Sequence, residues 1–125
     1  MLKPTKIYVK ELNLINQKRL INACANITGG GLVDNLKRVV PNGLSLNINL
    51  SNIKTKKIFK WLKSKKIQDL EMLKTFNCGV GFCLITEEKN IKKIQNIFEN
   101  KYKPYPIGFI SRDRSKIKLF GKIKW

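Results

Sequence analysis

Leu44, Leu46, Ile48 and Leu50 alternate with Ser45, Asn47 and Asn49 directly after Pro41-Asn42-Gly43, and this period-two stretch limits the fold more than any other pattern in the chain. Successive side chains of a strand leave on opposite faces, so one face here is apolar and needs a cover. The neighbouring segments supply covers. Leu32, Leu36, Val39 and Val40 fall at i, i+4, i+7 and i+8, one face of a helix that Pro41-Asn42-Gly43 stops. Residues 7–16 read as a short helix. Ile58, Phe59, Trp61 and Leu62 form the apolar face of a Lys-rich helix, and residues 69–76 predict another with Asp69 as N-cap and Leu70, Leu73 and Phe76 inward. A longer helix is expected over 87–100. Residues 21–27 and 79–86 read as buried strands, and 107–111 and 116–123 as a final pair joined by a hairpin turn over 112–115. The order α β α β α α β α β β argues for a mixed sheet layered with helices, an α/β (α+β) class.

The 125 residues suit one domain, and neither a repeat nor a Gly/Ser linker interrupts them. The longest uncharged stretch, residues 39–53, is rich in Asn, Ser, Pro and Gly, so no membrane span is expected. MLKPTKIYVK breaks its apolar residues with Lys3, Lys6 and Lys10, which predicts no signal segment and a cytoplasmic setting. Histidine is absent. That removes Ser-His and Cys-His nucleophilic pairs, HExxH zinc sites and any imidazole base. Cys24, Cys78 and Cys83 form no CxxC pair and read as reduced, mostly buried thiols.

A net charge of +18 suggests a polyanion as partner, but the make-up of that charge argues otherwise. Lys outnumbers Arg 22 to 4, and Lys, Ile and Asn together supply 51 of the 125 residues. Those three are encoded by A/T-rich codons, whereas Arg, the residue suited to bidentate phosphate and guanine contacts, is scarce. No specific nucleic-acid partner is expected.

Chemistry is most concentrated at Asn26-Ile27-Thr28-Gly29-Gly30-Gly31, between a predicted strand and a predicted helix. Three glycines let backbone N–H groups converge, and a helix N-terminus adds partial positive charge, so Thr28, Gly29, Gly30 and Gly31 suit a phosphate or carboxylate. The spacing matches neither the P-loop nor the dinucleotide fingerprint, and a tight turn that needs glycine only for its backbone angles explains the residues equally well. Asn35 and Arg38 lie three apart on the following helix, a spacing that lets them share a face near the same mouth, where Arg38 suits a phosphate, although a lone surface Arg more often does nothing specific. A second glycine motif, Asn77-Cys78-Gly79-Val80-Gly81, opens a strand where close backbone approach is expected. Cys78 reads as a structural thiol. The eight carboxylates are scattered, so no metal site is expected.

Together these pieces resemble one family: KPTKIYVK, NITGGGLVDNLKRVVP, IFKWL, EMLKTFNCGVGF and PIGFI occur in the order and approximate spacing of the C-terminal domain of aminoimidazole ribonucleotide synthetase, or phosphoribosylformylglycinamidine cyclo-ligase. The resemblance implies an α/β/α layered domain lacking its first strand and helix, with the N-terminal ATP- and metal-binding domain absent from residues 1–125. It implies an ATP-dependent ligase of purine biosynthesis that closes the imidazole ring of formylglycinamidine ribonucleotide. The complete enzyme would use ATP and Mg²⁺, neither bound by this chain alone, and would be a homodimer. The chain alone would be inactive without the N-terminal domain or a partner chain that supplies it. Thr28, Gly29, Gly30 and Gly31 would be the substrate-side loop, with Asn35 and Arg38 beside it and Asn77, Gly79 and Gly81 as a secondary motif. Asn26 stands where the family usually has His, so an acid, base or charge role is lost there. The alternative is a non-catalytic remnant or a phosphate-binding regulatory module.

Overall fold

A computed structural model describes residues 6–125; residues 3–5 of the KPTKIYVK stretch lie outside the described residues. The element order is α1 (Val9–Gln17), β1 (Ala23–Asn26), α2 (Gly31–Val39), β2 (Leu44–Asn49), α3 (Lys57–Lys63), α4 (Asp69–Thr75), β3 (Phe82–Ile85), α5 (Ile91–Gln95), β4 (Gly108–Arg112) and β5 (Ile117–Phe120). The class is mixed α/β, in the predicted order of helices and strands. None of the described helices is long and apolar enough to cross a membrane.

Contacts divide the chain into two compact units. One comprises the described residues up to Cys24 with Leu84–Tyr105, the other Ala25–Cys83 with Pro106–Trp125. Each unit is closed by segments distant in sequence, so no composition shift marks them. In the first unit, Ile15 and Leu20 meet Ile94 and Phe98 in a small core flanked by Tyr8, Ile21, Leu84, Ile97 and Tyr102. The expected helix over 87–100 is broken: a 3₁₀ turn precedes α5, and beyond it Ile97 N–H and Phe98 N–H reach back to Ile94 and Gln95, three residues rather than four. This tightening ends the α-helix while keeping Ile94 and Phe98 in the core.

The second unit carries the three-stranded sheet, ordered β4-β2-β5. β2 runs antiparallel to β4, with Leu46 opposite Ile110, and parallel to β5, with Leu46 opposite Ile117. The expected hairpin between the last two strands is therefore not formed. β2 lies between them, and the polar turn after β4 carries the chain past its end. Asp113 fixes that turn, its N–H bonding the Gly43 carbonyl while its carboxylate accepts from Ser115 and pairs with Lys118. Lys118 holds the Asp113 carboxyl well below the usual carboxylate range, so the tie is present at neutral pH and is lost as acid protonates the group. Burial explains the arrangement: Leu46, Ile48 and Ser45 are all buried, and a strand in that position needs ladder partners on both edges. A separate two-stranded sheet pairs β1 with β3. Neither strand is uniformly buried as expected, since β1 exposes Cys24 and Asn26 and β3 is half-buried throughout.

Two helices bury only part of the face the sequence suggested. In α3, Phe59 and Leu62 are half-buried while Ile58 and Trp61 are exposed, Trp61 at 56%. Both pairs have i, i+3 spacing, so periodicity alone cannot choose between them. The Phe59 ring packs 6.3 Å from that of Phe76, a contact that the inward rotation of Phe59 permits. In α4, Met72 and Leu73 are buried and Leu70 is 53% exposed. The N-cap is Gln68 rather than Asp69. Asp69 instead accepts from Lys63 at 2.6 Å and from the Trp125 indole N–H at 3.0 Å. We expect Leu73→Ala to cost about 2–5 kcal/mol in urea unfolding and Leu70→Ala to stay within about 0.5 kcal/mol; equal losses would contradict the orientation of α4.

Candidate functional site

The glycine loop lies within the second unit. Ile27 is buried at the end of β1, and its N–H bonds the Gly81 carbonyl at 3.0 Å, which brings the two glycine motifs side by side. Beyond it the chain surfaces: Thr28 and Gly29 are exposed before α2 begins. Gly31 N–H closes the turn on Thr28 O at 3.1 Å. Gly30 has φ +90° and Gly31 φ +62°, left-handed angles that favour glycine.

Close packing adds a second demand at Gly31. A Cβ there would fall on the carbonyl oxygen of Leu73 and 2.8 Å from that of Lys74, at the end of α4. The start of α2 therefore rests against the last turn of α4, with Leu32, Leu36, Met72 and Leu73 buried around the contact. Gly29 differs on both counts. Its φ lies outside the left-handed region, and a Cβ there would meet nothing within 4 Å. The fold thus accounts for two of the three glycines and leaves Gly29 without a structural reason.

Asn35 is buried one turn into α2 and faces the loop. Its Nδ2 donates to Gly31 O at 2.7 Å, Gly29 O at 3.2 Å and Thr28 O at 3.4 Å. Arg38 is exposed in the last turn of α2 and has no hydrogen bond or ion pair among the described residues. By helix rise it lies about 10 Å along the axis from Gly31. Asn26 is exposed at the end of β1, two residues before Thr28. Sequence reasoning overlooked Asp34, in the first turn of α2. Its Oδ2 lies 3.6 Å from the position of a Cβ on Gly30. An acid three residues into a helix that opens on glycines was the available signal. Its charge offsets the positive end of the helix dipole, so the loop mouth is a mixed site rather than a purely cationic one.

In the second motif, Asn77 Oδ1 accepts from Gly79 N–H at 3.0 Å, and Gly79 at φ +96° backs onto the Lys54 carbonyl. Cys78 is fully buried, with its Sγ 3.4 Å from the Met72 carbonyl, and burial pushes its thiol up to about 11. Burial likewise pushes Cys83 up to about 12. Neither thiol is an activated nucleophile at neutral pH. All three cysteines are free thiols, but Cys24 is exposed, which corrects the expectation of mostly buried ones; its strand presents that position outward. Among the described residues no three His, Cys, Asp or Glu side chains gather as metal ligands would.

The fold and this loop define a mixed α/β domain that presents an exposed, internally braced glycine turn at the start of a helix. The chain belongs to the AIR synthase related protein family, whose C-terminal domain matches residues 1–119. It is 37% identical over 123 residues to the phosphoribosylformylglycinamidine cyclo-ligases of Staphylococcus aureus strains Newman, USA300 and COL. The match covers 96% of this chain and 36% of each relative, so the chain spans about a third of their length.

The two kinds of glycine separate in stability measurements. Gly31→Ala is expected to cost about 2–4 kcal/mol, from backbone strain and the collision with α4. Gly29→Ala is expected to leave urea unfolding within about 0.5 kcal/mol of the parent. A large loss at Gly29 would mean that the fold, rather than a ligand, requires glycine there.

Proposed function

We propose that this domain is the substrate-facing part of a phosphoribosylformylglycinamidine cyclo-ligase and acts with the N-terminal part of such an enzyme. The identity to the cyclo-ligases over nearly the whole chain carries this reading, and the exposed Gly29 supports it. The substrate is formylglycinamidine ribonucleotide, whose phosphate and ribose oxygens suit a loop of backbone donors at the start of α2. Asp34 suits the hydroxyl or amidine N–H groups of the same molecule.

Ring closure requires the formyl oxygen to be activated at the expense of ATP, so that an internal nitrogen can displace it. We assign the handling of ATP and Mg²⁺ to the remainder of the enzyme. This chain binds and orients the ribonucleotide. Asn26 supplies a hydrogen-bonding amide at a position without proton transfer. That residue also favours the second reading, a regulatory module that binds a phosphorylated ligand without turning it over.

Complementation of a bacterium lacking cyclo-ligase separates these readings. Residues 1–125 alone are expected to give no growth without purine, and co-expression with the N-terminal part of one of the Staphylococcus relatives is expected to restore it. Growth with residues 1–125 alone would overturn the need for an N-terminal part. Failure of both, with both chains soluble, would leave the regulatory module.

A further inference from the structure

Asn35 was expected to stand beside the ligand, but its amide is spent on the chain itself. The side chain is 8% exposed, and its Nδ2 is surrounded by the carbonyl oxygens of Thr28, Gly29 and Gly31. Only the NH₂ end of the amide fits there, because the carbonyl end would face three acceptors. Its two protons are shared among them, with the shortest bond to Gly31.

The peptide bonds carry the consequence outward. There is no cis peptide among the described residues. In a planar trans peptide the C=O and the following N–H point in opposite directions. Drawing the Thr28 and Gly29 carbonyls toward Asn35 therefore turns the N–H groups of Gly29 and Gly30 away from it. Neither N–H has an acceptor among the described residues, and Gly29 is exposed. A Cβ on Gly29 would meet nothing within 4 Å, so that side of the loop is open, while the Asp34 side chain flanks Gly30, which is half-buried.

We propose that Asn35 is a positioning residue: by anchoring the carbonyls of the loop, it holds the Gly29 and Gly30 N–H groups outward as paired donors for an acceptor oxygen of the ribonucleotide. This rests on the cyclo-ligase reading above. It gives Asn35 a role without ligand contact and makes the backbone of residues 29 and 30 the binding element. Asn35→Asp tests it most closely, since the shape is kept and the donor is lost. An ionised carboxylate facing three carbonyl oxygens releases the loop, whereas a protonated one donates again.

Binding of formylglycinamidine ribonucleotide to residues 1–125 is to be measured by calorimetry for parent and variant from pH 7.5 to 4.5, with thermal unfolding recorded at each pH. The variant is expected to bind at least tenfold more weakly at pH 7.5 while still folded. Its deficit relative to the parent should shrink to within about threefold at pH 4.5, because burial against three carbonyl oxygens raises the carboxyl above its ordinary value and returns its proton in this range. Equal affinities at pH 7.5 would overturn the proposal, as would a loss that only follows the unfolded fraction. If Asn35→Asp does not fold, amide exchange in the parent decides: slow side-chain amide protons on Asn35 with fast Gly29 and Gly30 N–H support the placement, and the reverse order overturns it. Absence of ribonucleotide binding by the parent would contradict the cyclo-ligase reading instead, and exchange would then decide the placement of the loop.

Discussion

The approach of the first turn of α2 to the carbonyl end of α4 is the constraint on which the second unit depends. At Gly31 the two backbones come so close that no side chain fits between them. That contact requires glycine, buries Leu32, Leu36, Met72 and Leu73, and leaves the preceding residues to turn at the surface. Asn35 completes the turn from inside. The Met72 carbonyl, one residue before the contact, also faces the Cys78 thiol, so the end of α4 supports both glycine motifs. A loop held in this way has little conformational freedom left to lose when a ligand arrives.

Much of this was legible in the sequence. The alternation over 44–50 located β2, and the spacing of Leu32, Leu36, Val39 and Val40 located α2 to within a residue. What escaped was set by partners distant in sequence. Nothing local distinguishes Ile58 and Trp61 from Phe59 and Leu62, and it is the second pair's Phe59 that meets the Phe76 ring. The polar turn at 112–115 looks like a hairpin because the strand lying between its arms comes some sixty residues earlier. Within the loop, nothing local ranks the three glycines. Two are demanded by backbone angle or packing, and the third is explained by neither.

Electrostatics gives the least information where it is largest. A net charge of +18 dominates the composition, yet it is spread over lysines. Surface ion pairs such as Lys89 with Glu87 add little to stability. At the loop the local balance is different, with one carboxylate, Asp34, beside the positive end of a helix. This combination suits a ligand that offers both acceptors and donors, as a ribonucleotide does, better than it suits a bare anion.

The most direct measurement is to map formylglycinamidine ribonucleotide onto the ¹⁵N-labelled chain by amide chemical shifts at physiological salt. The account predicts saturable shifts concentrated on Thr28, Gly29, Gly30 and the first turn of α2, surviving in salt and only weakly reproduced by inorganic phosphate. Shifts scattered over the lysine-rich segments and abolished by salt would show that the charge alone attracts the ligand and that the glycine loop is only a turn.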